Sequence, residues 1–116
     1  MRTAIVLALL VLAVVVAPAA HAVDTQRCGS VRVDRTLRPD PDADFGAFAI
    51  RARNTACRRA RRLASIYVRN PRSDATAPRR IGRWRCTART IDDQVQRVRC
   101  RLGERRVSFR NVLPSG

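Results

Sequence analysis

Lysine is absent from this chain, histidine occurs once, at His21, and nine acids stand against 24 basic residues, all of them arginine. Without lysine there is no amine for Schiff-base chemistry, and without a further histidine the usual general base is missing. Ser30, Ser65, Ser73, Ser108 and Ser115 therefore have nothing to activate them. Aromatic residues make up 4% of the chain, too few for a base-stacking surface of the kind single-stranded nucleic acid requires. No C-x-x-C pair exists; 28, 28 and 13 residues separate Cys28, Cys57, Cys86 and Cys100, which is not a zinc pattern. No catalytic residue, metal site or cofactor is expected, and the chain reads as a non-enzyme.

What is present begins with an export signal. Arg2 supplies a positive start, Ala4 to Ala17 is an unbroken apolar run, and Ala20-His21-Ala22 after Pro18 is an A-x-A cleavage signal. The run is shorter than the roughly 20 residues a spanning helix needs. Residues 1–22 thus read as a signal peptide, leaving no transmembrane anchor after cleavage, and residues 23–116 as one small secreted domain. Cleavage removes His21 and Arg2, so 23 arginines face nine acids in the exported part. An oxidising destination and an even cysteine count predict two disulfides, each restricting the unfolded chain by roughly 3–4 kcal/mol.

The centre of the chain, Asn54 to Asn70, reads as an amphipathic helix. Cys57, Ala60, Leu63, Ala64, Tyr67 and Val68 recur at three- and four-residue steps, while Arg58, Arg59, Arg61, Arg62 and Arg69 fill the other face. Asn54 or Thr55 is expected to cap it, and Pro71 to end it. Before the helix, Val31 and Val33 alternate with Arg32 in one strand, and Phe48, Ile50 and Ala52 alternate with Arg51 and Arg53 in another. The intervening Asp40, Asp42 and Asp44 begin like a calcium loop, but Phe45 stands where glycine is required and Arg51 where glutamate is. An acidic surface loop is the reading retained.

After the helix, Asn70 to Arg80 is a polar, proline-containing loop. A three-stranded meander follows. Trp84 and Cys86 point inward on a strand over 81–88, then Val98, Cys100 and Leu102 on 95–102, then Val107 and Phe109. Turns fall at Asp92-Asp93 and Gly103-Glu104. The expectation is an α+β fold: one amphipathic helix on a mostly antiparallel sheet of four to five strands, with two disulfides. Four cysteines allow three connectivities. A hairpin at Asp93 sets Cys86 opposite Cys100 without fixing their pairing. If the 47–53 and 81–88 strands run parallel around the helix, Cys57 with Cys86 and Cys28 with Cys100 is the favoured set.

The Cys28-Gly29 start, the run Asn-Thr-Ala-Cys-Arg-Arg-Ala-Arg-Arg-Leu-Ala, then Arg-Trp-Arg-Cys, Arg-Val-Arg-Cys-Arg-Leu-Gly and Val-Ser-Phe-Arg are similar to a group of small exported actinobacterial proteins. These share a helix-start cysteine followed by two strand cysteines. The resemblance spans most of residues 23–116 and implies the α+β architecture; it implies no activity and no site residues.

Alternation then nominates the site. If the helix covers one face of the sheet, Arg51, Arg53, Arg83, Arg85, Arg97, Arg99, Arg101 and Arg110 fall on the other. Such a guanidinium platform suits phosphate, sulfate or carboxylate polymers, because each fork binds bidentately. Expected partners are anionic wall polymers, acidic polysaccharides or extracellular nucleic acid, without sequence-specific reading of DNA. A secreted protease inhibitor presenting the Asn70–Arg80 loop is the alternative, and a hydrolase would require two converging carboxylates.

Overall fold

The computed structural model describes residues 12–14, 24–74 and 76–114; the expected signal peptide lies, apart from 12–14, outside the described residues. No helix among the described residues is long and apolar enough to cross a membrane. Six strands and one helix follow in the order β1 (Gln26–Val33), β2 (Phe45–Arg53), α1 (Cys57–Arg69), β3 (Arg79–Ile81), β4 (Trp84–Asp92), β5 (Val95–Leu102) and β6 (Arg105–Val112). All pairings are antiparallel, in the lateral order β1-β2-β6-β5-β4-β3.

The expected α+β fold is present, with six strands in place of four to five. The extra strand, β3, straddles the boundary between the stretch read as the Asn70–Arg80 loop and the stretch read as one strand over 81–88, so Arg79 and Arg80 are strand residues and not loop. Gly82, at φ +58°, and Arg83 form a two-residue hairpin turn that separates β3 from β4. Glycine reaches that φ without steric cost, and at the first central turn position it produces a bend matching the twist of the strands. Ile81 and Trp84, three residues apart, both pack against the core, so the inward phase breaks at the turn, and the alternation of Arg83 to Ala88 on its own does not reveal it.

Helix α1 buries Ala60, Leu63, Ala64, Tyr67 and Val68, the stripe that the three- and four-residue spacing marks out. It packs chiefly over β1 and β2, and its neighbours include β6 and β3. Ile50, Ala47, Ala52, Val98, Val107 and Phe109 complete the core from the sheet. Tyr67 meets Phe109 edge-on, with ring centroids 5.5 Å apart, a favoured arrangement for two aromatic quadrupoles. Pro71 follows the helix as expected, and the Asn70 side-chain amide donates to Ile66 O at 2.8 Å.

The helix start differs from expectation. Ala56 occupies the N-cap and no side chain caps the helix. Asn54 turns into the left-handed region at φ 57° and donates to Glu104 O at 3.0 Å, while Thr55 Oγ1 is buried without a partner among the described residues. Asn54 thereby ties the strand–helix corner to the β5–β6 turn instead of capping the helix.

The disulfides are Cys28–Cys57 and Cys86–Cys100. Both favoured pairings were wrong, for one topological reason. β6 and β5 lie between β2 and β4, so β4 is three strand spacings from β2, roughly 14 Å. A disulfide spans about 7 Å at most between Cα atoms. Cys57, one short turn after β2, instead lies over adjacent β1, where Cys28 is 5.1 Å away Cα to Cα. The expected parallel relation of β2 and β4 is also absent; three antiparallel steps leave them antiparallel.

Candidate anion-binding face of the sheet

The face turned away from α1 is built by the alternation of all six strands. In register, Arg53 on β2 stands opposite Arg106 on β6, Arg106 opposite Arg101 on β5, Arg101 opposite Arg85 on β4, and Arg85 opposite Arg80 on β3. These five arginines form one row across the strands. At about 4.8 Å per strand the row is roughly 19 Å long. All five are exposed. A second row runs Arg27, Arg51, Ser108, Arg99 and Thr87, and a third holds Phe48, Arg110, Arg97 and Arg89.

Like charges directly opposite one another on a sheet destabilise it, and no acid relieves this face. Asp24 precedes β1; Asp34, Asp40, Asp42 and Asp44 lie between β1 and β2; Asp74 is in the loop before β3. Asp92 and Asp93 sit at the β4–β5 turn and Glu104 at the β5–β6 turn. The arginine side chains that make hydrogen bonds donate to backbone carbonyls: Arg32 to Ala43 O, and Arg106 to Gly103 O and Arg105 O.

Of the eight sequence-predicted site residues, Arg51, Arg53, Arg85, Arg97, Arg99, Arg101 and Arg110 occupy this face. Arg83 does not belong to a strand. The hairpin turn places it at the end of the first row, where it shares a cleft of about 530 Å³ with Arg80, Arg85 and Arg101. Two further shallow clefts use short side chains as floor between arginine walls. One, of about 560 Å³, sets Ser108 among Arg51, Arg97, Arg99 and Arg110. The other, of about 590 Å³, sets Thr87 beside Arg89, Arg97 and Arg99.

Five further arginines on the face were not nominated. Arg89 continues the alternation of β4, so extending that strand finds it, whereas Arg106 already alternates outward beside Val107 on β6 and is merely missing from the nominated set. Arg80 depends on the hidden hairpin, and Arg27 on β1 beginning before Cys28. Arg32 was assigned to the polar side of β1 but not to the platform.

Phe48, which alternation groups with Ile50 and Ala52, does not share their face. Ala49, at φ 52°, and Ile50 together oppose the single Phe109, a β-bulge that reverses the phase of β2. Ile50 and Ala52 keep the inner face, and Phe48 emerges opposite Arg110. The Arg32 guanidinium lies 5.0 Å above its ring centroid, a cation–π contact that covers the ring.

The Asn70–Arg80 loop lies at the opposite end of α1 from Cys28–Cys57, while its last residues enter β3, where Arg79 stands opposite Cys86 of the second disulfide. Comparison with protein-family models, with curated proteins and with solved structures gives no match.

Proposed function

We propose that the protein acts outside the cytoplasm as a non-enzymatic binding protein, engaging linear anionic polymers through the outer face of its sheet. The observation that carries this reading is the row Arg53–Arg106–Arg101–Arg85–Arg80, five like charges in direct register with no carboxylate opposite any of them. A row that costs stability in isolation becomes favourable once phosphate, sulfate or carboxylate groups lie along it. The flat, exposed face and its guanidinium forks suit backbone anions, and the covered Phe48 ring offers no open platform for base stacking. Anionic wall polymers, acidic polysaccharides and extracellular nucleic acid share the required chemistry.

The test compares position against charge. Arg53, Arg85 and Arg101 are replaced together by Gln in one variant, and Arg58, Arg59 and Arg62 on the exposed side of α1 in another. Both lose three charges. Binding to heparin and to duplex DNA is then measured across a salt series. The sheet variant is expected to lose at least tenfold in affinity and to flatten the log–log salt slope on duplex DNA by about 2 to 3, through fewer released counterions. Equal losses in the two variants would make the arginine excess compositional and remove the reading.

A further inference from the structure

Beside the C-terminal turn of α1, on the other face of the sheet, lies a cavity of about 150 Å³. Its lining includes Tyr67, Arg72, Arg79, Gln96, Asn111 and Leu113. Gln96 on β5 and Asn111 on β6 stand directly opposite each other, 6% and 5% exposed. Their strand neighbours on this face, Val98 and Phe109, are core residues. Gln96 Oε1 is buried without a hydrogen-bond partner among the described residues. A buried amide oxygen left unpaired costs stability, so its place beside a cavity points to a donor that arrives from elsewhere.

The opposite wall carries two cations, Arg72 and Arg79, against one carboxylate, Asp74. Arg79 lies with its guanidinium 5.1 Å from the Tyr67 ring centroid and donates one N–H to Tyr67 O at 3.3 Å. A guanidinium carries five donors, so most of its capacity remains. Burial raises the Tyr67 phenol above its ordinary pKa, while the charges of Arg79 and Arg72 pull it down. Both cations are therefore close to the same side chain.

We propose that this cavity binds a small organic carboxylate that also carries a hydroxyl or N–H donor. The carboxylate meets Arg79 and Arg72, the donor reaches Gln96 Oε1, and the body of the ligand lies against Tyr67 and Leu113. A cavity near 150 Å³ holds a benzene-sized molecule, which limits the ligand to about six to ten non-hydrogen atoms. This inference does not rest on the polymer-binding face, which is on the other side of the sheet.

The probe is 4-hydroxybenzoate, added to the oxidised protein and followed by backbone amide NMR and calorimetry, with benzoate as the analogue lacking the donor. Saturable shifts are expected at Gln96, Asn111 and Arg79. Gln96→Leu is expected to weaken 4-hydroxybenzoate at least tenfold, to leave benzoate within twofold, and to keep or raise the melting temperature. Arg79→Gln is expected to weaken both probes. Shifts centred on Arg99 and Ser108 would place the carboxylate on the outer face and overturn the proposal, as would no saturable shift. A lower melting temperature for Gln96→Leu would make the amide structural, with the same consequence.

Discussion

Cys86 and Cys100 face each other across β4 and β5 with Cα atoms 4.0 Å apart, and one step along each strand Arg85 and Arg101 face each other on the opposite side of the sheet. The covalent staple and the like-charge pair thus act on the same two strands with opposite sign. Closing the loop between residues 14 apart in sequence restricts the unfolded chain by about 3 kcal/mol. Repulsion between exposed guanidinium groups is screened as salt rises. Replacing both cysteines with Ser is therefore expected to cost on the order of 3 kcal/mol. The variant should also regain more stability from added salt than the parent does. Urea unfolding at low and high sodium chloride checks both; a parent and variant with the same salt response would show that the row exerts no repulsion.

Arg101 lies between Arg106 and Arg85, so one substitution changes two cross-strand pairs. Arg101→Glu converts both from repulsive to attractive, each by roughly 0.2–1 kcal/mol. The melting temperature should rise, and affinity for heparin should fall by more than tenfold. The opposed changes distinguish a surface kept for binding from one that is merely solvated. A variant that gains stability and keeps its affinity would count against the platform.

What could be read in advance depended on whether the signal was local. The α1 stripe from Ala60 to Val68 repeats at helical spacing, and all five expected core residues from Ala60 onward are buried. In β5 the strict alternation of Arg97, Arg99 and Arg101 with Val98 and Cys100 needs only a period of two, and it places three site arginines correctly. The failures came from contacts that no local pattern encodes. The bulge at Ala49 turned Phe48 to the other face, and alanine carries no signature of a left-handed residue. β3 is three residues long, and its Arg79 and Arg80 fall in a stretch whose composition reads as loop. The disulfides depended on which strands are lateral neighbours, and β6 returning to lie between β2 and β5 is a non-local choice. Hence individual strands and the arginine phase of β5 were legible, while the register that aligns five arginines across strands was not.

Thr55, just before α1, is not the cap its type suggests; its hydroxyl is buried and has no partner among the described residues. Thr55→Val keeps the side-chain shape while removing the unpaired group. Removing such a group generally recovers part of a desolvation penalty of about 1–3 kcal/mol. The variant is expected to be at least as stable as the parent, with a higher urea midpoint and unchanged heparin binding. A drop in midpoint would mean that the hydroxyl is satisfied in solution.

Asp34 organises the turn after β1. Its Oδ1 accepts from Thr36 N at 2.8 Å, from Thr36 Oγ1 at 2.6 Å and from Arg38 N at 3.0 Å. These donors favour the charged carboxylate, the Thr36 hydroxyl contributing most, and they hold its pKa below the ordinary 3.8 despite a small opposing effect of desolvation. A carboxyl depressed by folding contributes stability above its unfolded pKa and loses it as pH falls through the folded one. The contribution of this turn should therefore be intact at neutral pH, begin to fall below about pH 4, and vanish only below its own folded value. Carboxyl NMR titration should place Asp34 below the ordinary aspartate value, and the Thr36 and Arg38 amides should move with the same midpoint. Asp34→Asn should abolish that coupled transition and lower the melting temperature at pH 7 more than at pH 2.5. A titration of Asp34 at or above the ordinary aspartate value would sink the assignment.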